Sequence, residues 1–265
     1  MYAASDEATL GHLNLLEFTR EDCRWQSPHT IVEDSGVLLF AGAHEFPAYN
    51  NGAYRVDQAV PADEAIARAQ AFFAEHKRGF SLWTRVTGPD DDLRVAADAA
   101  GISIYSDSPQ MICRARLVDR PLPDGVEIRG VDDPAGVAAF ADVNAAAYAS
   151  LGSLPAATRS HFEGSAALSA PHVHAAVAHL AGEPVGAAMI HRSHGIAGVY
   201  WVGTLEPARG RGIAEAITRH VTNLGFDLGA QNVQLQASRM GEPIYRRMGY
   251  EELYRQEFRL GMPPS

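Results

Sequence analysis

The chain has 265 residues, a formal net charge of -10 and 46% hydrophobic residues, a length that suits two units of ordinary domain size better than one. The negative balance opposes binding to DNA or RNA, and no apolar run approaches the ~18 residues of a membrane span. Cys23 and Cys113 are too few and too isolated for a disulfide framework or a metal site, and Met1 to Leu10 carries Asp6 and Glu7 where a leader would be basic and then apolar, so a cytoplasmic protein is expected.

In the first half, Ala53 to Val60 has strand composition. Asp63 to His76 places Ile66, Ala69, Phe72 and Phe73 on one helical face, and Phe80 to Val86 returns to strand character. Asp91 to Ala100 reads as helix, with strands at Ile102 to Tyr105 and Met111 to Leu117. Pro121, Pro123 and Gly125 then interrupt regular structure between Leu117 and Val126, dividing the chain into units over 1–120 and 126–265.

In the second half, His172 and His174 share a strand face, but no third ligand is evident and no metal is expected. Val185 to Ile190 is a hairpin strand, and Ile196 to Leu205 is a second one, rich in β-branched and aromatic residues. After the turn Arg209-Gly210-Arg211-Gly212-Ile213-Ala214, the residues Ile213, Ile217, Val221, Leu224 and Leu228 form the apolar stripe of a helix that Gly229 stops. Asn232 to Ala237 alternates with strand period, Ser238 follows it, and Gly241 to Tyr250 is a short helix with Pro243 near its start and Gly249 at its end. This order of elements mirrors the first half.

A glycine-rich turn that opens a helix is an anion cradle, because glycine lets the backbone approach a ligand and the first helical N–H groups have no intrahelical acceptor. The nucleotide P-loop is excluded, since no lysine lies near the turn. The dinucleotide fingerprint GxGxxG is weak, because Glu215 stands where it needs its third glycine. What fits is (Arg/Gln)xxGx(Gly/Ala), met by Arg209, Gly212 and Ala214, followed in order by the strand to Ser238 and the segment Tyr245 to Tyr250.

On these motifs the chain resembles the GNAT superfamily of acyl-CoA N-acyltransferases, from about Val173 to Leu260 and more loosely back to Val126. The resemblance and the mirrored order together imply an α/β (α+β) fold of two GNAT-like lobes, each a mixed, mostly antiparallel central sheet flanked by helices. The first lobe would be degenerate: Val60-Pro61-Ala62-Asp63-Glu64 stands where the cradle belongs, and its carboxylates would oppose a pyrophosphate.

The resemblance implies acetyl-CoA as cosubstrate, held by the backbone of Val202, Gly203 and Thr204, by the turn Arg209, Gly210, Arg211, Gly212, Ile213 and Ala214, and by Ser238. Tyr245 would be the catalytic proton donor to the departing thiolate. The acceptor would be a primary amine of a small molecule, shaped by the region Ala135 to Ala170 and the facing lobe, with Tyr148, Phe162 and Trp201 available to line a pocket. His191, His194 and Glu163 are the candidates for a general base, although water can carry the ammonium proton away. A non-catalytic acyl-CoA sensor is the alternative reading, a homodimer is left open, and neither nucleic acid nor membrane is expected as a partner.

Overall fold

The computed structural model describes residues 4–164 and 167–262. Residues 1–3 of the segment read for a leader, and residues 165–166 of the region expected to shape the acceptor site, lie outside the described residues. The first half runs α1 (Ala4–Trp25), β1 (Thr30–Asp34), β2 (Val37–Ala41), β3 (Asn51–Arg55), α2 (Ala62–His76), β4 (Phe80–Val86), α3 (Asp91–Ala99) and β5 (Ser103–Cys113). The second runs β6 (Val126–Gly130), α4 (Pro134–Ala149), α5 (Pro155–Ser160), β7 (Val173–Leu180), β8 (Glu183–Ser193), β9 (Ile196–Thr204), a 3-10 turn (Glu206–Ala208), α6 (Ile213–Asp227), β10 (Val233–Gln236), α7 (Glu242–Met248) and β11 (Glu251–Gly261).

The helices follow from their apolar stripes. Ile66, Ala69 and Phe73 of α2 are buried, as are Ile213, Ile217 and Val221 of α6. Where the chain departs from its sequence pattern, hydrogen bonds decide. The strand expected over Ala53 to Val60 is β3 and ends at Arg55, because the N–H groups of Val56 and Asp57 both turn to Gly36 O and Val60 N–H bonds Asp57 O. The two strands expected at Ile102 to Tyr105 and Met111 to Leu117 are the single strand β5. Its polar middle, Ser106, Asp107 and Ser108, is held extended by pairing with Phe258, Glu257 and Gln256 of β11. Leu117 lies beyond it, its N–H and C=O both bonded by the Asn223 side chain at 2.8 and 3.0 Å, which straps the connecting segment onto α6.

All eleven strands form one sheet, in the order β1-β2-β3-β4-β11-β5-β10-β9-β8-β7-β6. Each half has one parallel step, β3 to β4 and β9 to β10, and every other pairing is antiparallel. Beyond each parallel step lies the last strand of the other half: β11 pairs with β4, β5 pairs with β10, and β5 and β11 pair with each other at the centre. The two halves thus exchange final strands about an approximate two-fold axis, which joins the expected mixed, mostly antiparallel sheets into one.

The helix α1 crosses the same boundary. Asn14 Nδ2 donates to His191 O at 3.1 Å and to Ser193 Oγ at 2.8 Å, Tyr200 Oη donates to Asn14 Oδ1 at 2.7 Å, and Phe18 stacks on Tyr200 with centroids 3.7 Å apart. A helix from the first half is therefore a wall of the second. Among the described residues no helix is long and apolar enough to cross a membrane.

Candidate active site

The site begins where two parallel strands part. Pairing between β9 and β10 stops at Val199 and Leu235, yet β9 continues to Thr204 with only β8 beside it. A register shift between β8 and β9, with Trp201 at a φ of 51°, gives the strand a bulge at this point. One edge of β9 past Val199 therefore presents unpaired backbone donors and acceptors to a gap. Gly203 is required there by packing: a Cβ would lie 2.8 Å from Asn144 Oδ1 and 3.0 Å from Ala147 Cβ of α4.

At the end of β9 comes the glycine turn. Gly210 and Gly212 have φ of 76° and 77°, a left-handed backbone that other residues adopt only with strain. A Cβ at Gly210 would meet nothing within 4 Å, so the space above the turn is open. The first helical bond of α6 runs from Ala216 N–H to Gly212 O, which leaves the N–H groups of Ile213, Ala214 and Glu215 facing outward. The Glu215 carboxylate, which would repel an anion here, is drawn aside by Arg219 at 2.7 Å and Arg120 at 3.2 Å. Arg209 donates to Thr204 O and to Ser150 Oγ, tying the end of β9 to the end of α4.

A cleft of ≈ 350 Å³ opens between the turn, the parted strand and α7. Every site residue expected from the sequence lines it except Arg211, which is exposed. Ser238 does two jobs: it lines the cleft, and its Oγ accepts from Gly241 N–H at 3.1 Å ahead of α7.

The two tyrosines of the closing segment are sorted by their surroundings. Tyr250 Oη shares a hydrogen bond of 2.7 Å with Thr222 Oγ1 of α6 and is committed to the core. Tyr245 faces the cleft, its ring folded back on Gly241. Burial pushes its hydroxyl up to about 12, so it is protonated across the physiological range.

The cleft runs into a larger chamber of ≈ 660 Å³, and Tyr148, Leu151, Val202, Ser238 and Tyr245 line both. The chamber's remaining walls come largely from the first half and from β11: Phe18, Tyr54, Trp83 and Phe258 among them. Asp22 also reaches it, with Oδ1 accepting from Trp201 Nε1 at 3.2 Å and Oδ2 bonded to His161 Nδ1 at 2.6 Å.

Residues 171–252 match the family model of the acetyltransferase (GNAT) domain. The chain carries a GNAT acetyltransferase domain. The activity that belongs to such a domain is acyl transfer, and the chain is an acyltransferase of this type. Solved structures share the fold across nearly the whole chain. A GCN5-related N-acetyltransferase from Kribbella flavida is 20% identical with a TM-score of 0.71, covering 96% of each chain. A tandem GNAT protein from the clavulanic acid biosynthesis pathway is 14% identical with a TM-score of 0.60, covering 100% of this chain and 98% of its own. A GCN5-related N-acetyltransferase from Sphaerobacter thermophilus is 16% identical with a TM-score of 0.61, covering 85% of this chain and 80% of its own. No curated protein sequence matches the chain.

Within this GNAT frame, three expectations about side chains are corrected. Phe162 lies outside both cavities, packed on Phe140 and Trp201 with centroids 5.2 and 5.3 Å away. His191 lies inside β8 and faces Glu21, 3.1 Å from its carboxylate, while His194 and Glu163 are exposed. None of the three base candidates lines the cleft or the chamber. His172 does acquire companions the sequence hid, since Glu21 reaches both it and His191 from α1. The chamber residues from the first half carried no local motif and were found only by folding.

Proposed function

We propose that this acyltransferase moves an acetyl group from acetyl-CoA to a primary amine of a small molecule by direct attack on the thioester. The observation that carries the reading is one cavity system in which the glycine turn, the parted edge of β9 and Tyr245 meet, with a larger chamber leading off the same point. In this reading the outward N–H groups of Ile213 and Ala214 hold the pyrophosphate, and the free edge of β9 at Val202 to Thr204 takes the pantetheine arm and donates to the thioester oxygen. One such donor on a developing oxyanion is worth roughly 2.7–4 kcal/mol.

The amine nitrogen adds to the carbonyl carbon, the C–S bond breaks, and the thiolate leaves. In this reading Tyr245, which lines the cleft, donates to that sulfur. With its hydroxyl near 12 and a thiol near 8.5, complete proton transfer is uphill by roughly 5 kcal/mol, so Tyr245 acts chiefly as a hydrogen-bond donor that stabilises the thiolate. The ammonium proton goes to water, since no free base lines the cavities among the described residues: Asp22 is bonded to Trp201 and His161, and Asp107 to Arg255.

Lobes over 1–120 and 126–265 and one cofactor site per chain complete the proposal. Supporting a single site, the first half starts α2 with Pro61, Asp63 and Glu64, and its counterpart of the strand gap is filled by Arg55, bonded to Asp92 and to Pro89 O. The deciding measurement is thiol release from acetyl-CoA over a panel of amines in the cytoplasmic pH range. Micromolar binding of coenzyme A without turnover on any amine would replace the enzyme by the sensor reading.

A further inference from the structure

One wall of the chamber carries two polar side chains without hydrogen-bond partners for their N–H groups among the described residues. Trp83 on β4 and Gln256 on β11 line it, and they are diagonal neighbours on one sheet face, because Trp83 pairs with Phe258 and Gln256 with Arg85. Gln256 is 3% exposed, and neither its Nε2 nor Trp83 Nε1 has a hydrogen-bond partner among the described residues. A buried N–H without a partner carries the full cost of its desolvation, and two of them belong to residues that line the same cavity.

The surrounding rings are fixed. Trp83 stacks on Tyr54 with centroids 5.7 Å apart and meets Phe258 edge-on at 4.5 Å, while Phe18 stacks on Tyr200. They form flat apolar walls, and a space of ≈ 660 Å³ holds a molecule of one or two fused rings with side groups. Charge is compensated here. Asp22 is saturated by Trp201 and His161, Arg85 is bonded to Asp90, and Asp107 to Arg255. A second ammonium would find no free carboxylate, and Arg85, the cross-strand partner of Gln256, is not free for a carboxylate. Arg239, an exposed cation, also lines the chamber, and it follows Ser238, which lines both chamber and cleft.

We propose that the chamber is the acceptor subsite for a flat aryl primary amine bearing a neutral carbonyl, amide or ketone, at the end remote from the amine, with Gln256 Nε2 and Trp83 Nε1 donating to that oxygen. The assignment rests on the acyl-transfer reading for the position of the amine beside Tyr245. The oxygen contact stands on the two orphaned donors alone.

The test uses a matched pair of acceptors, 6-(aminomethyl)-2-naphthamide and 2-(aminomethyl)-6-methylnaphthalene, together with 2-naphthamide, which has no amine. The amide-bearing amine is expected to have a kcat/KM at least about tenfold above its methyl counterpart, the equivalent of one recovered hydrogen bond. Gln256→Leu should cut that preference about tenfold while coenzyme A affinity, measured in parallel, shows that the variant is folded. Quenching of tryptophan fluorescence by 2-naphthamide reports the contact without turnover and should weaken in the same variant. Equal kcat/KM for the pair, or a preference that survives Gln256→Leu, overturns the subsite while leaving acyl transfer intact. Binding of 2-naphthamide that depends on Gln256, with no amine acetylated, supports the subsite and overturns the acyl-transfer reading instead. Neither binding nor turnover overturns both.

Discussion

Gly241 and the Tyr245 ring are in such close contact that a Cβ on residue 241 would lie 2.7 Å from Tyr245 Cε2 and 3.2 Å from its hydroxyl. Gly241 has a φ of -79°, a conformation open to any residue, so the glycine is required by the ring and not by the backbone. Gly241→Ala should therefore act on the position of the phenol alone. The expected result is a fall in kcat of roughly 10-fold, within the range for a misplaced proton donor, with coenzyme A affinity within a factor of two by calorimetry. A loss of coenzyme A binding equal to the loss of kcat would contradict the role given to Tyr245.

Tyr245→Phe removes the hydroxyl and leaves the ring. Turnover should drop with the dissociation constant for coenzyme A nearly unchanged, because the role proposed for Tyr245 is toward the departing sulfur and not toward the phosphates. The pH profile is the sharper readout. With burial holding the hydroxyl near 12, no alkaline limb from Tyr245 is expected below about pH 10, and the variant and the parent should share the same profile shape. A limb near pH 8 that vanishes in the variant would show that the phenol ionises during turnover.

Gly212→Asp combines two faults at one position, a side chain at a φ of 77° and a carboxylate among outward N–H groups. Coenzyme A binding should become undetectable by calorimetry while the melting temperature falls by only a few degrees, since the positive φ costs ~1–3 kcal/mol but a Cβ at this position has only Pro123 Cγ within 4 Å, at 3.6 Å. Retained affinity would remove the turn from the site.

Asn14 is 1% exposed and holds α1 to β8 and β9 through His191 O, Ser193 Oγ and Tyr200 Oη. Asn14→Leu leaves these groups unpaired in the interior and should destabilise the fold by ~1–3 kcal/mol, seen as a lower urea midpoint. Because α1 walls the chamber and not the cleft, the KM for the acceptor should rise while coenzyme A affinity holds.

Acid should destabilise the protein before its carboxylates titrate. Burial lowers His12 to about 4, and burial also lowers His191. A histidine that stays neutral in the native state but titrates near 6.5 when unfolded makes the unfolded chain the greater proton binder, so stability is present above pH 6.5 and is lost as pH falls toward 4. For His12 the loss is bounded at ~3 kcal/mol, and His12→Gln should flatten the urea midpoint across that window. An unchanged slope would exclude His12 as its source.

What the residues alone determined is local. The glycine turn, the stripe of α6 and the pairing of Tyr245 with Gly249 are short-range patterns whose backbone requirements are met within a few residues, so cradle, helix and closing segment could be read directly from the chain. The mirrored order of elements also announced two similar halves. Tertiary structure alone decided the rest, because it depends on pairs far apart in the chain. The polar run Ser106 to Ser108 became strand through β11, the buried polar residues of α1 hid its helical period until β8 and β9 supplied partners, and the exchange of β5 and β11 drew Trp83 and Gln256 to one wall. The proposed cofactor cleft is lined mainly by one segment that is legible in sequence; the proposed acceptor chamber is lined from both halves and exists only once the sheet has joined them.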